Sequence, residues 1–118
     1  MKLSEQQQIF TLNIAKLIAE ADCLGIGLTF GDAYRTEEQQ RIYVNAGKSK
    51  TMNSNHRRRL AVDFNFFKDG KLTYEFKDIK PLGDFWAKLH PANRWGGDWN
   101  KNGKPDGFMD TPHFEMNI

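Results

Sequence analysis

Ser54-Asn55-His56-Arg57-Arg58-Arg59-Leu60-Ala61-Val62-Asp63-Phe64-Asn65-Phe66-Phe67 is the stretch whose reading decides the fold. From Leu60 onward it is rich in β-formers, and its polar residues recur every second position. Ala61–Phe67 therefore reads as a strand with Val62, Phe64 and Phe66 on one face and Asp63 and Asn65 on the other. His56 lies seven positions before Asp63, a separation that a straight strand would stretch to about 23 Å. The two side chains meet only if the chain turns back through Arg57–Leu60, and Asp63 then presents a carboxylate on an open face. The polar segment Lys48–Asn55 ahead of them is turn-like.

Downstream, Asp69-Gly70 is a hairpin signal that sends Leu72–Phe76 back antiparallel to this strand. Pro81 is expected as the first residue of a helix running to about Leu89, closed by His90-Pro91. A Gly- and Asn-rich loop spans Gly96 to Gly107. A final strand at His113–Met116 follows, where His113, Glu115 and Asn117 alternate with Phe114, Met116 and Ile118. Laid beside the first strand, it would bring His113 to Asp63.

Upstream, residues 4–22 have the periodicity of an amphipathic helix through Ile9, Phe10, Ile14, Leu17, Ile18 and Ala21. Ser4 and Gln7 have capping-box spacing, and Gly25 is a stop. Ile26, Leu28 and Phe30 alternate as a short strand. Thr36 and Gln39 then repeat the capping-box spacing before a second short helix, whose apolar face is Ile42 and Tyr43 and which Gly47 ends. No internal repeat or linker interrupts the 118 residues, so the expectation is one α+β domain over residues 1–118.

The composition fits a packed core: 39% hydrophobic and 13% aromatic residues, with nine Phe and three Trp. A formal charge of +2, from 17 basic and 15 acidic residues, is too small to imply nucleic acid. The single Cys23 cannot form an intramolecular disulfide. No run approaches the ~20 apolar residues of a membrane span, and the N-terminus turns polar after Leu3, so neither a signal peptide nor stable membrane insertion is expected.

Two His and one carboxylate, His56, His113 and Asp63, make the three-ligand set of a catalytic zinc site, whose fourth position stays open for water. The residues alone leave a second reading open, in which His56 caps a turn, Asp63 is a satisfied strand carboxylate and His113 packs at a sheet edge.

Ser54-Asn55-His56 with Ala61-Val62-Asp63, and Asp110-Thr111-Pro112-His113-Phe114-Glu115 near the end, resemble the paired signature of the M15 zinc peptidases. Tyr34-Arg35-Thr36 and Trp95-Gly96-Gly97-Asp98-Trp99 extend the likeness, which spans roughly Gly31 to Glu115. The resemblance implies a central antiparallel sheet flanked by helices, as in hedgehog and DD-peptidase domains. It also implies a Zn2+ on His56, Asp63 and His113. Asp110 becomes the catalytic carboxylate that takes a proton from water and passes it to the leaving amine. Arg35 becomes the cation stabilising the substrate carbonyl oxygen. Ser54 either binds substrate or caps its turn. Glu115 is the rival base, or else orients a ligand. Where the family often has Gly three residues after the first His, this chain has Arg59. Arg57-Arg58-Arg59 either faces solvent or meets acidic wall stems.

Within that family the expected activity is a bacteriophage endolysin that cuts the L-alanyl-D-glutamate bond of peptidoglycan stem peptides, causing host cell lysis and hence antimicrobial action. It would be made in the host cytoplasm, reach the wall after release across the inner membrane, and act as a monomer. The alternatives are a D-alanyl-D-alanine carboxypeptidase or dipeptidase, and a non-catalytic wall-binding module. Finally, Asp98, Asn100, Asn102, Gly103 and Asp106 occupy positions one, three, five, six and nine of a calcium-loop pattern, but the twelfth is Met109 where a Glu belongs. Either Ca2+ binds there or the side chains make local Asx-turns.

Overall fold

The computed structural model describes residues 2–49, 51–105, 107 and 109–118. Among them lie three helices and five strands. These are α1 (Leu3–Cys23), β1 (Ile26–Phe30), α2 (Glu37–Asn45), β2 (Ala61–Lys68), β3 (Lys71–Thr73), α3 (Phe76–Leu89), β4 (Asn93–Trp95) and β5 (His113–Met116). The α+β class with an antiparallel sheet is as expected. The strand order is β1-β2-β5-β4, with β3 paired to β2, and every pairing is antiparallel.

β2 is the organising strand. Its inward residues Val62, Phe64 and Phe66 are buried, as are Phe114 and Met116 of β5. α1 contributes Phe10, Leu17 and Ala21 to the same cluster, and α3 contributes Ile79, Leu82 and Trp86. Trp86 meets Phe10 and Phe114 edge-on, with ring centroids 5.6 and 6.0 Å apart, a favoured aromatic geometry. Its indole N–H also donates to the backbone carbonyls of Arg94 (3.1 Å) and Glu115 (3.0 Å). One core residue thus pins β4 and β5, the strands behind the site.

Several local expectations change. α1 starts after Lys2 without a side-chain cap. Gln7, expected in a capping box with Ser4, reaches instead to the Arg58 carbonyl at 2.7 Å and braces the turn after His56. Thr36 does cap α2, accepting from the Gln39 amide. The buried residue of α2 is not apolar, however: it is Gln40, while Ile42 is exposed. The hairpin at Asp69-Gly70 forms, both residues taking positive φ (52° and 75°), as a two-residue turn between twisted strands requires. β3 then ends at Thr73, and α3 begins at Phe76, so Pro81 lies inside the helix and not at its start. The buried stripe Ile79–Leu82–Trp86 explains this: packing on the sheet carries the helix past the one backbone hydrogen bond that proline removes. β4 had no sequence expectation at all. Ile118, expected on the apolar side of β5, is exposed.

Candidate metal centre

Two backbone devices assemble the site. Asp63 and His113 are direct cross-strand partners in the β2–β5 ladder, so their side chains leave the sheet together. His56 arrives through consecutive turns over residues 55–59, closed by the Leu60 amide donating to the Asn55 carbonyl at 3.0 Å. The turn needs a left-handed residue at Arg59, whose φ is 58°, which is why glycine suits that position. The Arg59 guanidinium lies over the Tyr34 ring, 4.2 Å from its centroid.

One potential ligand atom from each of His56, Asp63 and His113 lies within 4.8 Å of the others, so the three could hold a metal ion. The imidazole that each histidine presents is set from behind. His56 Nδ1 lies 2.7 Å from the Ala33 carbonyl, which can only accept, so Nδ1 carries the proton and Nε2 keeps its lone pair. Nε2 is buried without a hydrogen-bond partner, and the atom 3.3 Å from it, Asp63 Oδ1, is itself an acceptor. On His113, Nε2 lies 2.7 Å from Glu115 Oε1, and Nδ1 lies 3.1 Å from Asp63 Oδ1. With its Nε2–H donated to Glu115, a neutral His113 turns a second lone pair on Asp63. Two lone pairs facing one carboxylate repel unless a cation or proton sits between them, and this donor set fits a metal ion.

The electrostatics agree. Burial works to raise the Asp63 pKa, but the hydrogen bond from His113 and the neighbouring charges of His56 and His113 hold it well below the usual carboxylate range. Burial pulls His113 down, yet its bonds to Asp63 and Glu115 prevail and push it up to about 9. A proton on Nδ1 and a metal ion held by these side chains would therefore take the same place. Glu115 resists its own desolvation through His113 and Arg94, and its pKa is lowered.

A cleft of about 270 Å3 opens beside the three, lined by Arg35, Ser54, His56, Asp110, His113 and Glu115 among others. Burial raises the Asp110 pKa, with the Asp63 charge adding to the effect and the charges of His113, His56 and Arg35 opposing it. Arg35 is tightly held: Nε donates to Asp32 (3.0 Å), Nη1 to Gln40 (3.1 Å) and Nη2 to Asp63 Oδ2 (3.4 Å). Ser54 Oγ accepts from the His56 amide at 3.2 Å, so the hydroxyl caps the turn. Glu115 is occupied on both oxygens, since Oε2 accepts from Arg94 Nε and Nη2 at 2.9 and 2.6 Å.

The sequence reading missed three residues here: Asp32, Gln40 and Arg94. Gln40 was detectable as a polar residue at a helix position that should point inward. Arg94 lies on a strand too short to show alternation.

Of the calcium-pattern residues, Asp98, Asn100, Asn102 and Gly103 do not line this cleft. Asp98 accepts the Asn102 amide on Oδ1 (3.1 Å) and the Gly103 amide on Oδ2 (2.7 Å), and Asn102 accepts the Lys104 amide (2.9 Å). These are the local Asx-type bonds of the second reading, with Asn100 also accepting from the Asn102 amide (3.3 Å). Asp106 lies outside the described residues.

The sequence profile of the phage L-alanyl-D-glutamate peptidase family matches residues 5–117. An L-alanyl-D-glutamate peptidase of Listeria phage A118 is 34% identical over 103 residues, covering 86% of this chain. The chain spans about a third of that relative's length, the match covering 34% of it. Among solved structures, the Serratia marcescens L-Ala D-Glu endopeptidase ChiX superposes with a TM-score of 0.68 over 99% of this chain and 87% of that one. At 21% identity that likeness speaks for the fold alone.

Proposed function

The chain belongs to the phage L-alanyl-D-glutamate peptidase family, and we propose that it is a zinc peptidase of the endolysin type, hydrolysing the L-alanyl-D-glutamate bond of peptidoglycan stems. The observation that carries this reading is the convergence of His56 Nε2, His113 Nδ1 and the Asp63 carboxylate, each histidine anchored through its other nitrogen. Zinc held there would supply a Lewis acid for the scissile carbonyl and an acidified water.

The chain's own residues do the rest. Asp110, partly buried in the cleft and with its pKa raised, takes the proton of the attacking water and returns it to the D-glutamate amine as the C–N bond breaks. Glu115 is excluded from that task by its bonds to His113 and Arg94, and it orients His113 instead. Arg35 holds Asp63 in place and keeps two of its five N–H groups for the carbonyl oxygen as negative charge develops there. Ser54 acts through the turn that delivers His56. Residues 1–118 act as one catalytic domain, a view supported by the common cluster that α1, α3 and the sheet share. No helix among the described residues is long and apolar enough to cross a membrane, and we place the site of action at the wall of the host after release from its cytoplasm, with the enzyme as a monomer.

Mass spectrometry of digested peptidoglycan tests the bond. New D-glutamate amino termini are expected, and release of terminal D-alanine alone would assign the activity to the carboxypeptidase alternative. A calcium ion on Asp98, Asn100, Asn102 and Asp106 is a subordinate proposal, and an unchanged melting temperature in millimolar calcium would remove it.

A further inference from the structure

A D-glutamate whose amine is the leaving group brings its α-carboxyl group two bonds from the scissile nitrogen. In a stem that continues through the γ-carboxyl, that α-carboxylate is free and charged, so the leaving-group side of the cleft must accept an anion or exclude one. Among the described residues, three Lys or Arg side chains line this cleft: Arg35, Lys48 and Arg94. Arg35 gives three of its N–H groups to Asp32, Gln40 and Asp63, and the proposed reaction assigns its other two to the scissile carbonyl oxygen. Lys48 sits on an exposed turn after α2, where holding its flexible stem costs entropy.

Arg94 differs from both. Its Nε and Nη2 donate to a single oxygen, Glu115 Oε2, and its guanidinium lies over the Trp99 ring at 5.2 Å from the centroid. The backbone beneath is pinned by Trp86, and the side chain stays about one-third exposed (36%). The guanidinium is thus immobilised by one edge and one face, while Nη1 retains N–H groups that no described residue takes. A planar fork held in this way is suited to a carboxylate.

We propose that Arg94 is the specificity-determining residue that recognises the free α-carboxylate of the D-glutamate leaving group. The inference rests on the L-alanyl-D-glutamate reading of the function. Arg94 grips the substrate from the cleft wall that also carries Glu115, while Asp110 supplies the proton to the adjacent amine. A stem in which the α-carboxyl is an amide, as in D-isoglutamine, loses the charge that Arg94 reads.

The test compares two synthetic stem peptides, one with D-glutamate and one with D-isoglutamine, on the zinc-loaded protein. The wild type is expected to favour the free acid by roughly ten- to a hundredfold in kcat/KM, the range of a charge-assisted hydrogen bond. Arg94→Gln should abolish that preference by lowering kcat/KM on the acid roughly ten- to a hundredfold more than on the amide, with zinc content retained. Arg94→Lys should keep part of it, and serves if Arg94→Gln does not fold. Lys48→Gln should leave the preference intact. Equal losses on both substrates would mean that Arg94 only positions His113 through Glu115, and loss of the preference in Lys48→Gln would move the anchor to Lys48. Either result overturns the inference, as does a wild type indifferent to the amide. Failure of the wild type on both peptides would overturn the proposed function itself.

Discussion

Asp110 and Glu115 are both carboxylates beside the same histidine, and their partners separate their roles. Asp110→Asn should keep zinc and lose turnover by roughly 10²- to 10⁴-fold; metal analysis alongside kinetics checks it, and an active variant would displace Asp110 as the base. Glu115→Gln should do the reverse in kind, weakening zinc affinity by roughly 10- to 100-fold in a chelator competition while activity returns at saturating zinc. Arg59 carries a third prediction. Its left-handed φ of 58° costs about 1 kcal/mol for a residue with a Cβ, and its stacking on Tyr34 returns about 0.5–1 kcal/mol. Arg59→Gly should therefore be more stable than Arg59→Ala in urea unfolding, by about 1 kcal/mol. Equal stabilities would show that the turn holds no strain. At this scale the candidate ligands were legible in the sequence because His and Asp have a restricted chemistry, whereas Gln40 and Arg94 were not, because their meaning depends on which side chains the fold sets against them.

Strands β2 and β5 were legible from alternation, and their register follows from burial: a slip of one residue would turn Asp63 and His113 into the core and Phe64 and Phe114 out of it. The helices were legible in position but not in detail, since Pro81 is a local signal that the packing of α3 overrides. β4 was invisible because three residues carry no period. The segment after it is sterically determined: a Cβ at Gly96 would overlap the Asp110 carbonyl, and one at Gly97 would overlap the Trp95 ring. Gly96 is also tied to the segment carrying Asp110 by two backbone hydrogen bonds, the Asp110 amide donating to the Gly96 carbonyl at 2.8 Å and the Gly96 amide donating to the His113 carbonyl, also at 2.8 Å. Gly96→Ala should therefore destabilise the protein by about 1–3 kcal/mol and lower activity in the molecules that remain folded, as Asp110 is displaced. A fully active and equally stable variant in thermal melts and kinetics would contradict this.

For the molecule as a whole, a metal ion held at the proposed site would compete with the proton on His113 for one place. Raising the His113 pKa from 6.5 to about 9 means that, without metal, its contribution to stability is complete below pH 6.5 and lost as pH rises through 9. The lowered values of Asp63 and Glu115 contribute stability above their unfolded values near 4, lost as pH falls below them. Metal-free protein should thus be most stable between about pH 4 and 6.5. Zinc needs the neutral imidazole, so its stabilising effect should grow from pH 6.5 to 9. Thermal melts with zinc and with chelator across that range measure it, and a gap that narrows toward pH 9 would refute it. The amino-acid sequence by itself determined the α+β class, the two site strands and the three candidate ligands, because alternation and side-chain chemistry are properties of short stretches. Only the tertiary structure decided which nitrogen each histidine offers, that Glu115 is occupied on both oxygens while no described residue donates to the Asp110 carboxylate, and that Arg94 stands at the cleft. Those facts depend on hydrogen-bond partners brought together from distant parts of the chain by one core, and no local pattern encodes them.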